Sequence, residues 1–360
     1  MELGSFVNGR RDVDVARRPG GLPYNVARGM KRGALVDALL KHDDPSVRWR
    51  VLVRVLGEDR KSKKVKAVQE QVRRSPRVRA LRGSLHLAKG VYTKWQGAHW
   101  ILTALADIGY PAGDSSLIPI RNQILDCWLR ESFYQEFEAR TKADAYKKDG
   151  VPIMQGRYRR CASQQGNALH FLIALGLGDQ RLEKLVERLL HWQWPDGGWN
   201  CDKDPGADNS SFMESLLPMR GLAAYGREMR SAKAKDSALR ASEVFLTRGL
   251  FRKRSDGTVI HPEFLQLHYP LYWHYDILGG LKGMVDIGLI RDSRCAAALD
   301  ILEQKELRGG GWPAEKRYYK VSSKIELHAD CVDWGGTGKK RMNEWITTDA
   351  MYVLAAAGRA

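Results

Sequence analysis

Long apolar runs and paired cysteines are both missing from this chain of 360 residues. It contains no run of 18 or more apolar residues, so no transmembrane helix is predicted. The first residues, MELGSFVNGRRDVDVARRPGG, lack the continuous apolar core of a secretory signal. The five cysteines are an odd number without a Cys-x-x-Cys pair. We therefore expect reduced thiols and a cytoplasmic location instead of a disulfide framework.

The sequence also lacks the usual marks of nucleotide and metal sites. Its glycine runs, LGG and RGGGW, precede no phosphate-binding fingerprint. No two residues of the types that bind zinc stand at a recognised ligand spacing, so no metal or other cofactor is predicted. Three residues are kept as candidates should zinc be bound: Cys201, His328 and Cys331.

Positive charge is abundant and unevenly placed. Of the net charge of +17, residues 1–90 carry a surplus of 13, with 22 Lys and Arg against 9 Asp and Glu. Residues 48–82 are the densest part. Such a basic face attracts nucleic acid, an anionic membrane surface or an acidic protein, although a solvated helical surface explains it equally well.

A helical repeat organises the rest of the chain. Five apolar stretches each run into a glycine, with spacings of 67, 50, 62 and 70 residues: Gly109, Gly176, Gly226, Gly288 and Gly358. Glycine at this place is typical of a left-handed helix C-cap. Amphipathic helices are predicted after four of them, at Leu117–Glu131, Gln180–Trp194, Ala238–Leu250 and Ser293–Leu307.

Alternating buried and amphipathic helices at this period predict stacked helical hairpins. We expect an all-α fold in which five or six hairpins close into an (α/α)5–6 toroid at residues 86–360. An open α-solenoid is the competing architecture. Residues 1–85 are predicted to form a short basic extension of HEAT-like helices, with Asp44 or Ser46 as an N-cap.

One turn carries a resemblance to a known family. Residues Gln193–Trp199 read QWPDGGW, and a weaker copy, QKELRGGGW, ends at Trp312 with Gln304 two residues too early. The first copy is similar to the QW repeats of squalene and oxidosqualene cyclases, and similar glycine-rich turns occur in protein prenyltransferase β-subunits. The resemblance implies an α/α toroid over about residues 90–360.

The chain departs from these families at their reactive residues. The resemblance to class II terpene cyclases implies a DxDD acid, and the sequence has none. Prenyltransferases bind zinc through Asp-x-Cys and a distant His, whereas Asp330 and Cys331 are adjacent here. The segment GGWNCD has a faint similarity to the zinc-binding turns of lanthionine cyclases. The resemblance therefore predicts the fold and leaves the reaction open.

Candidate site residues cluster where the predicted buried helices begin. Acid or base roles are predicted for His274, Asp276, Glu214, Asp202 and His99. Contacts with a substrate are predicted for Trp100, Arg157, Arg159, Cys161, Gln164, Asn167, Ser211, His268, Tyr269, Trp273 and Trp345. Ser211 has an alternative interpretation as a helix cap, with Glu214 closing a capping box.

The segment LHYPLYWHYD is the densest group of aromatic and titratable residues. Pro270 is predicted to lie in the first turn of a buried helix, which would place Trp273 and Asp276 on one face. His274 and Asp276 diverge at a spacing of two, so a partner from elsewhere is expected. An ordinary aromatic core is the alternative.

Three functions remain open from the sequence. The first is an enzyme that binds a largely apolar, isoprenoid-like or polycyclic small molecule and uses His, Asp and Glu for cyclisation, isomerisation or hydrolysis. The second is a protein that binds nucleic acid, or another anionic partner, through residues 48–82. The third is a non-catalytic scaffold. Peripheral contact with a membrane is compatible with the basic charge.

Overall fold

The computed structural model describes residues 24–85 and 90–359, with side chains from residue 32 onward. Helices predominate, which confirms the predicted all-α class. The helices of the described part are α1 (Tyr24–Leu40), α2 (Pro45–Arg50), α3 (Lys63–Arg74), α4 (Pro76–Gly83), α5 (Ala98–Asp107), α6 (Ile118–Trp128), α7 (Ala162–Ala174), α8 (Arg181–His191), α9 (Phe212–Glu228), α10 (Ala232–Leu246), α11 (Ile277–Asp286), α12 (Ala296–Gln304) and α13 (Glu344–Ala356).

Short elements fill the links between helices. A π-helical turn, Val51–Val55, continues α2. Single 3₁₀ turns lie at Ser115–Leu117, Glu131–Phe133, Asp144–Tyr146, Pro262–Leu265 and Ser293–Cys295. The strands are β1 (Glu136–Glu138), β2 (Val151–Met154), β3 (Arg157–Tyr158), β4 (Lys320–Val321) and β5 (Ala329–Asp330). The long polar links therefore contain strands that the sequence did not indicate.

Two small sheets form in these links. Strand β2 lies between a parallel β1, with Glu136 opposite Val151, and an antiparallel β3, with Ile153 opposite Tyr158. Strands β4 and β5 pair in parallel, with Lys320 opposite Ala329.

Glycine ends four of the five helices where it was predicted to do so. Gly109, Gly176, Gly288 and Gly358 have φ values of 84°, 62°, 80° and 74°. The prediction for Gly226 is wrong, because α9 continues through it to Glu228. Added bulk at Gly226 would meet Lys235 of α10 at 2.6 Å, so this glycine allows two helices to pack closely.

The segment LHYPLYWHYD does not form the predicted first turns of a helix. Tyr272 has a left-handed backbone, with φ of 50°, and α11 begins only at Ile277. Asp276 is the N-cap, and its Oδ1 accepts a hydrogen bond from the backbone N–H of Gly279 at 2.7 Å. The aspartate therefore starts the helix, and the aromatic residues before it lie in an irregular loop.

The buried helices pack in a sequential series. Helix α7 packs against α5 and α9, α11 packs against α9 and α13, and α13 packs against α2 and its π-helical turn. Arg50 of α2 then forms an ion pair with Asp107 of α5. Helices α8, α10 and α12 flank this series, each packed on at least one of its members. Their amphipathic sequences bury one face and leave the other toward solvent.

The QW turn ties α8 to its neighbour. The side-chain amide of Gln193 donates to the backbone carbonyls of Gly197 at 2.6 Å and Ser237 at 2.9 Å. Its oxygen accepts from the Ser237 hydroxyl at 2.9 Å and from Arg240. Ser237 and Arg240 belong to α10. One glutamine thus joins its own turn to the next flanking helix.

The tryptophan of the same turn ties α8 to a buried helix. The indole N–H of Trp199 donates to the Leu189 carbonyl at 2.9 Å, and its backbone N–H donates to the Ser215 hydroxyl at 3.0 Å. Leu189 is in α8 and Ser215 is in α9. Trp199 is fully buried, so these bonds are shielded from water.

The weaker copy repeats this geometry after α12. Trp312 donates its indole N–H to Leu302, also ten residues earlier, and its backbone N–H to the Thr347 hydroxyl of α13. The turn places Glu306, not Gln304, at the position that matches Gln193. Glu306 accepts from Arg32 of α1 at 3.0 Å. Helix α1 therefore follows α12 in space as α10 follows α8.

Candidate functional site

A cavity lies between the buried helices. Its lining is mixed, and aromatic and aliphatic side chains outnumber charged ones. Five residues predicted from the sequence to act on a substrate line it: Trp100, Asn167, His268, Tyr269 and Asp276. The lining also includes Thr103, Leu217, Leu271, Tyr272 and Leu278.

His268 and Asp276 form an ion-pair geometry at the cavity wall. His268 Nδ1 lies 2.9 Å from Asp276 Oδ2, which also accepts from the His268 backbone N–H at 2.9 Å. The other ring nitrogen, Nε2, is buried and has no hydrogen-bond partner among the described residues. The aspartate favours the tautomer with a proton on Nδ1, which leaves the Nε2 lone pair free to accept a proton.

A network of five charges closes one end of the cavity. Arg50 and Arg54 reach Asp107 at 2.6 and 2.8 Å, and Arg54 reaches Asp349 at 2.9 Å. Arg50 also pairs with Asp349. Lys282 reaches Asp349 at 2.6 Å. Three cations face two carboxylates, so the network is positive overall.

This network holds its carboxylates in the charged form. Burial alone would raise the pKa of Asp107, but Arg50, Arg54 and Lys282 outweigh it and place that pKa well below its usual range. The hydroxyl of Tyr269 donates to Asp107 at 2.7 Å. The charged network therefore also positions a tyrosine that lines the cavity.

A second, polar chamber adjoins the first. It shares with the first cavity a wall that includes Asp107, His170, Arg220 and Lys282. The charged network therefore separates a chamber with apolar walls from one with mainly polar walls.

A third group lies where α7 and α9 begin. The Cys161 and Cys201 sulfurs and a Glu214 carboxylate oxygen all lie within 4.8 Å of one another, and all three residues are half-buried. The Glu214 Oε2 accepts from the backbone N–H of Ser163 at 3.1 Å. Burial raises the pKa of Glu214, and a hydrogen bond to Cys161 and burial raise that of the Cys201 thiol.

Tyr92 connects this group to the cavity wall. Burial, together with the nearby Glu214 and Cys161, raises the pKa of its hydroxyl. Its ring packs on Trp100, with ring centroids 5.1 Å apart. Cys161, Gln164 and Glu214, which were predicted from the sequence for separate roles, thus lie in one place.

Ser211 acts as the helix cap that was its alternative interpretation. Its hydroxyl accepts from the backbone N–H of Glu214 at 3.4 Å. The expected capping box is incomplete, because the Glu214 carboxylate turns to Ser163 of α7. The glutamate is therefore available to the cysteine group.

The His274 ring stacks on both Tyr318 and Trp273. The His274 ring centroid lies 3.6 Å from Tyr318 and 4.5 Å from Trp273. Burial, then the neighbouring His268 and Lys94, lower the pKa of His274 to about 3. The partner of Asp276 is thus His268 and not His274.

His99 is fully buried and does not belong to the cavity lining. Its Nδ1 lies 3.2 Å from the Trp128 indole nitrogen, and its Nε2 lies 3.0 Å from the Asn167 amide. Burial lowers its pKa to about 3. Both ring nitrogens therefore have neighbours inside the core.

The other predicted site residues lie apart from the cavity lining. Arg157 and Arg159 lie over the Trp194 ring, at 5.7 and 4.6 Å. Asp202 is exposed in a turn and accepts from the backbone of Asp204. Trp345 stacks on Tyr269, with centroids 5.2 Å apart. The acid or base role predicted for Asp202, and the substrate contacts predicted for the other three residues, stay predictions.

The three candidate zinc ligands predicted from the sequence do not lie in one group. Cys201 belongs to the group with Cys161 and Glu214, whereas His328 and Cys331 join no group of three ligand types among residues 24–85 and 90–359. His328 is exposed beside the Trp95 ring, and Cys331 is half-buried.

Three charged residues of the cavity lining were not predicted from the sequence as site residues. Asp107, Arg220 and Lys282 stand in LTALAD, PMRGL and GGLKGM, three otherwise apolar helical stretches. A lone charge on a buried helix requires a partner, and this signal could have indicated the network.

Some basic residues of segment 48–82 pair with aspartates of the fold, and others are exposed to solvent. Arg50, Arg54 and Arg77 pair with aspartates, whereas Lys63 and Lys66 of α3 are exposed. Binding of nucleic acid here stays a prediction. Within the described residues, the helices are all too short or too polar to cross a bilayer.

Comparisons of the chain with protein-family models, with curated proteins and with solved structures find no match.

Proposed function

We propose that this protein is an enzyme that binds a largely apolar small molecule in the central cavity of a closed α/α toroid. His268, oriented by Asp276, transfers a proton to and from that molecule. The observation that carries the proposal is the buried His268 Nε2, which has no hydrogen-bond partner in the described structure and belongs to a side chain of the cavity lining.

The helix contacts support a closed ring. The series α5, α7, α9, α11, α13 and α2 returns to α5 through Arg50 and Asp107. On the outside, the bond from Arg32 to Glu306 places α1 after α12. Six alternating pairs result, and the N-terminal helices α1 and α2 supply one of them. An open solenoid would leave its first and last hairpins apart.

The dyad supports proton transfer. A neutral imidazole whose Nδ1–H is held by a carboxylate can accept a proton at Nε2, and the carboxylate stabilises the imidazolium that forms. The same nitrogen then returns the proton to another atom of the molecule. Removal of a proton from one atom and its return to another is an isomerisation.

The cavity supports an apolar ligand. Trp100, Leu217, Leu271 and Leu278 provide apolar surface, while Asn167 and Thr103 provide a few polar contacts. Binding pockets for small molecules commonly combine these features.

The test begins with the ligand. Native mass spectrometry of protein purified from its own cells is expected to show a bound small molecule. Leu217→Trp fills the cavity and is expected to abolish binding, whereas Leu239→Trp, on the exposed face of α10, is expected to retain it. Equal binding by both variants would contradict the proposed cavity.

The chemistry is tested next on the molecule identified. Asp276→Asn preserves helix capping, because asparagine caps as well as aspartate, but removes the charge beside His268. We expect turnover to fall about 100-fold or more in Asp276→Asn and in His268→Gln, with little change in binding. Unchanged turnover in both variants would exclude the dyad.

A further inference from the structure

The group at the start of α7 and α9 brings together two thiols and a carboxylate from three separate parts of the chain. Cys161 is the residue before α7, Cys201 follows the QW turn, and Glu214 lies in the first turn of α9. Their ligand atoms lie within 4.8 Å of one another. In a tetrahedral zinc site, two sulfur ligands lie roughly 3.8 Å apart, so a side-chain shift of about 1 Å suffices.

The Glu214 carboxylate is oriented by one hydrogen bond and has a second oxygen for a further contact. Glu214 is held by the Ser163 backbone N–H through Oε2, which leaves Oε1 to coordinate. The Cys201 sulfur lies within 4.8 Å of both the Cys161 sulfur and a Glu214 carboxylate oxygen, so one cysteine faces both other residues. A single ion at this point would contact all three.

The ligand types select the metal. Two thiolates with one carboxylate suit zinc, whereas magnesium and calcium bind oxygen ligands. Backbone contacts that orient a ligand are typical of metal sites. Ser163 provides such a contact for Glu214.

We propose that Cys161, Cys201 and Glu214 bind one zinc ion in a site with three protein ligands. Three protein ligands leave a fourth position of the tetrahedron for water or substrate, which is the arrangement of catalytic zinc. Tyr92 is the neighbouring side chain that also contacts Trp100 of the cavity wall. The site is therefore separated from the cavity wall by the Tyr92 side chain.

Zinc binding has a proton balance. Each thiol loses its proton as the sulfur coordinates, so two protons are released to solvent for each zinc bound near neutral pH. No oxidant or reductant takes part.

Metal content is the first measurement. Elemental analysis of the purified full chain is expected to give one zinc per molecule. Replacement of zinc by cobalt(II) is expected to produce thiolate-to-cobalt charge-transfer absorption with the intensity of two thiolates, together with the visible bands of tetrahedral cobalt.

Variants identify the ligands. We expect Cys161→Ser, Cys201→Ser and Glu214→Gln each to weaken zinc affinity by more than about 100-fold, beyond the usual effect of second-shell changes. Cys331→Ser, a half-buried thiol outside the group, is the matched control and is expected to keep one zinc. Circular dichroism checks that each variant is folded.

Two outcomes would overturn the site. One is wild-type protein that takes up neither zinc nor cobalt at saturating concentrations. The other is a Cys161–Cys201 disulfide in protein purified without oxidant. These measurements use no substrate, and His268→Gln is expected to retain zinc. Their result therefore tests the zinc site independently of the proposed proton transfer by His268.

Discussion

Single buried side chains in this protein have charge states that differ sharply from those in water. His99 is fully buried, with the Trp128 indole and the Asn167 amide beside its ring nitrogens. Desolvation disfavours its cation, so burial lowers its pKa from 6.5 to about 3. Above pH 6.5 the ring is neutral in both folded and unfolded chains and has no effect on the pH dependence of stability.

Acid should therefore destabilise the fold through His99. Below pH 6.5 the His99 ring binds a proton in the unfolded chain, whereas in the folded chain it binds one only near pH 3. The free energy of unfolding should fall by about 1.4 kcal/mol per pH unit for this one group. Urea titrations between about pH 6 and pH 4 measure this decline in the free energy of unfolding. We expect the decline to be smaller by about 1.4 kcal/mol per pH unit in His99→Gln.

The exposed His261 provides the control. His261→Asn should leave the wild-type slope unchanged. If His99→Gln and wild type had parallel slopes, His99 would be charged or accessible in the folded protein.

At the scale of an element, the two glycine-rich turns show how one motif works and how it diverges. Both tryptophans donate an indole N–H to the carbonyl ten residues earlier and a backbone N–H to a hydroxyl of the next buried helix. Gln193 has four hydrogen bonds in this setting. Gln304 is exposed and has none among the described residues, although both glutamines are visible in the sequence.

These glutamines should therefore differ in their contribution to stability. Gln193→Ala should lower the free energy of unfolding by about 2 kcal/mol, because it leaves backbone carbonyls and the Ser237 hydroxyl without partners. Gln304→Ala should change it by less than about 0.5 kcal/mol. Chemical denaturation of both variants measures the difference, and similar losses would contradict the structural match of Gln193 with Glu306.

Much at this scale was predictable from the sequence, since local signals carry it. The amphipathic pattern of QRLEKLVERLLHW and the four glycine caps predicted α8 and the helix ends correctly. The helix predicted to begin near Pro270 in LHYPLYWHYD was wrong, because the N-cap at Asp276 and the left-handed backbone of Tyr272 depend on tertiary contacts. The group of Cys161, Cys201 and Glu214 was equally hidden, because no local spacing links residues brought together by two different helices.

At the scale of the whole molecule, the N-terminal helices are integrated with the rest. Arg32 of α1 donates to Glu306 at 3.0 Å and to the Arg359 carbonyl at 2.6 Å. Both ion-pair side chains are about nine-tenths buried. The sequence suggested a basic helical extension at residues 1–85 that packs on the rest of the fold, and that division stays a prediction.

The Arg32–Glu306 pair should show energetic coupling across the chain. A double-mutant cycle of Arg32→Met and Glu306→Gln should give a coupling energy of about 1–2 kcal/mol. The exposed Lys64–Glu58 pair, with 59% and 35% exposed side chains, should give less than about 0.5 kcal/mol. Equal coupling in the two cycles would argue against α1 as a stable part of the fold.

The bond from Arg32 to the Arg359 carbonyl joins residues 327 positions apart, which sets an order of events during synthesis. Helix α1 is among the first of these elements to leave the ribosome, but its partners around α12 and α13 are among the last. The cavity walls from α5 to α11 can pack as they emerge, whereas α1 and α2 must wait with their apolar faces exposed. Such delayed, non-local contacts slow folding and favour association between nascent chains. The protein therefore acquires its finished cavity only after translation has passed α13.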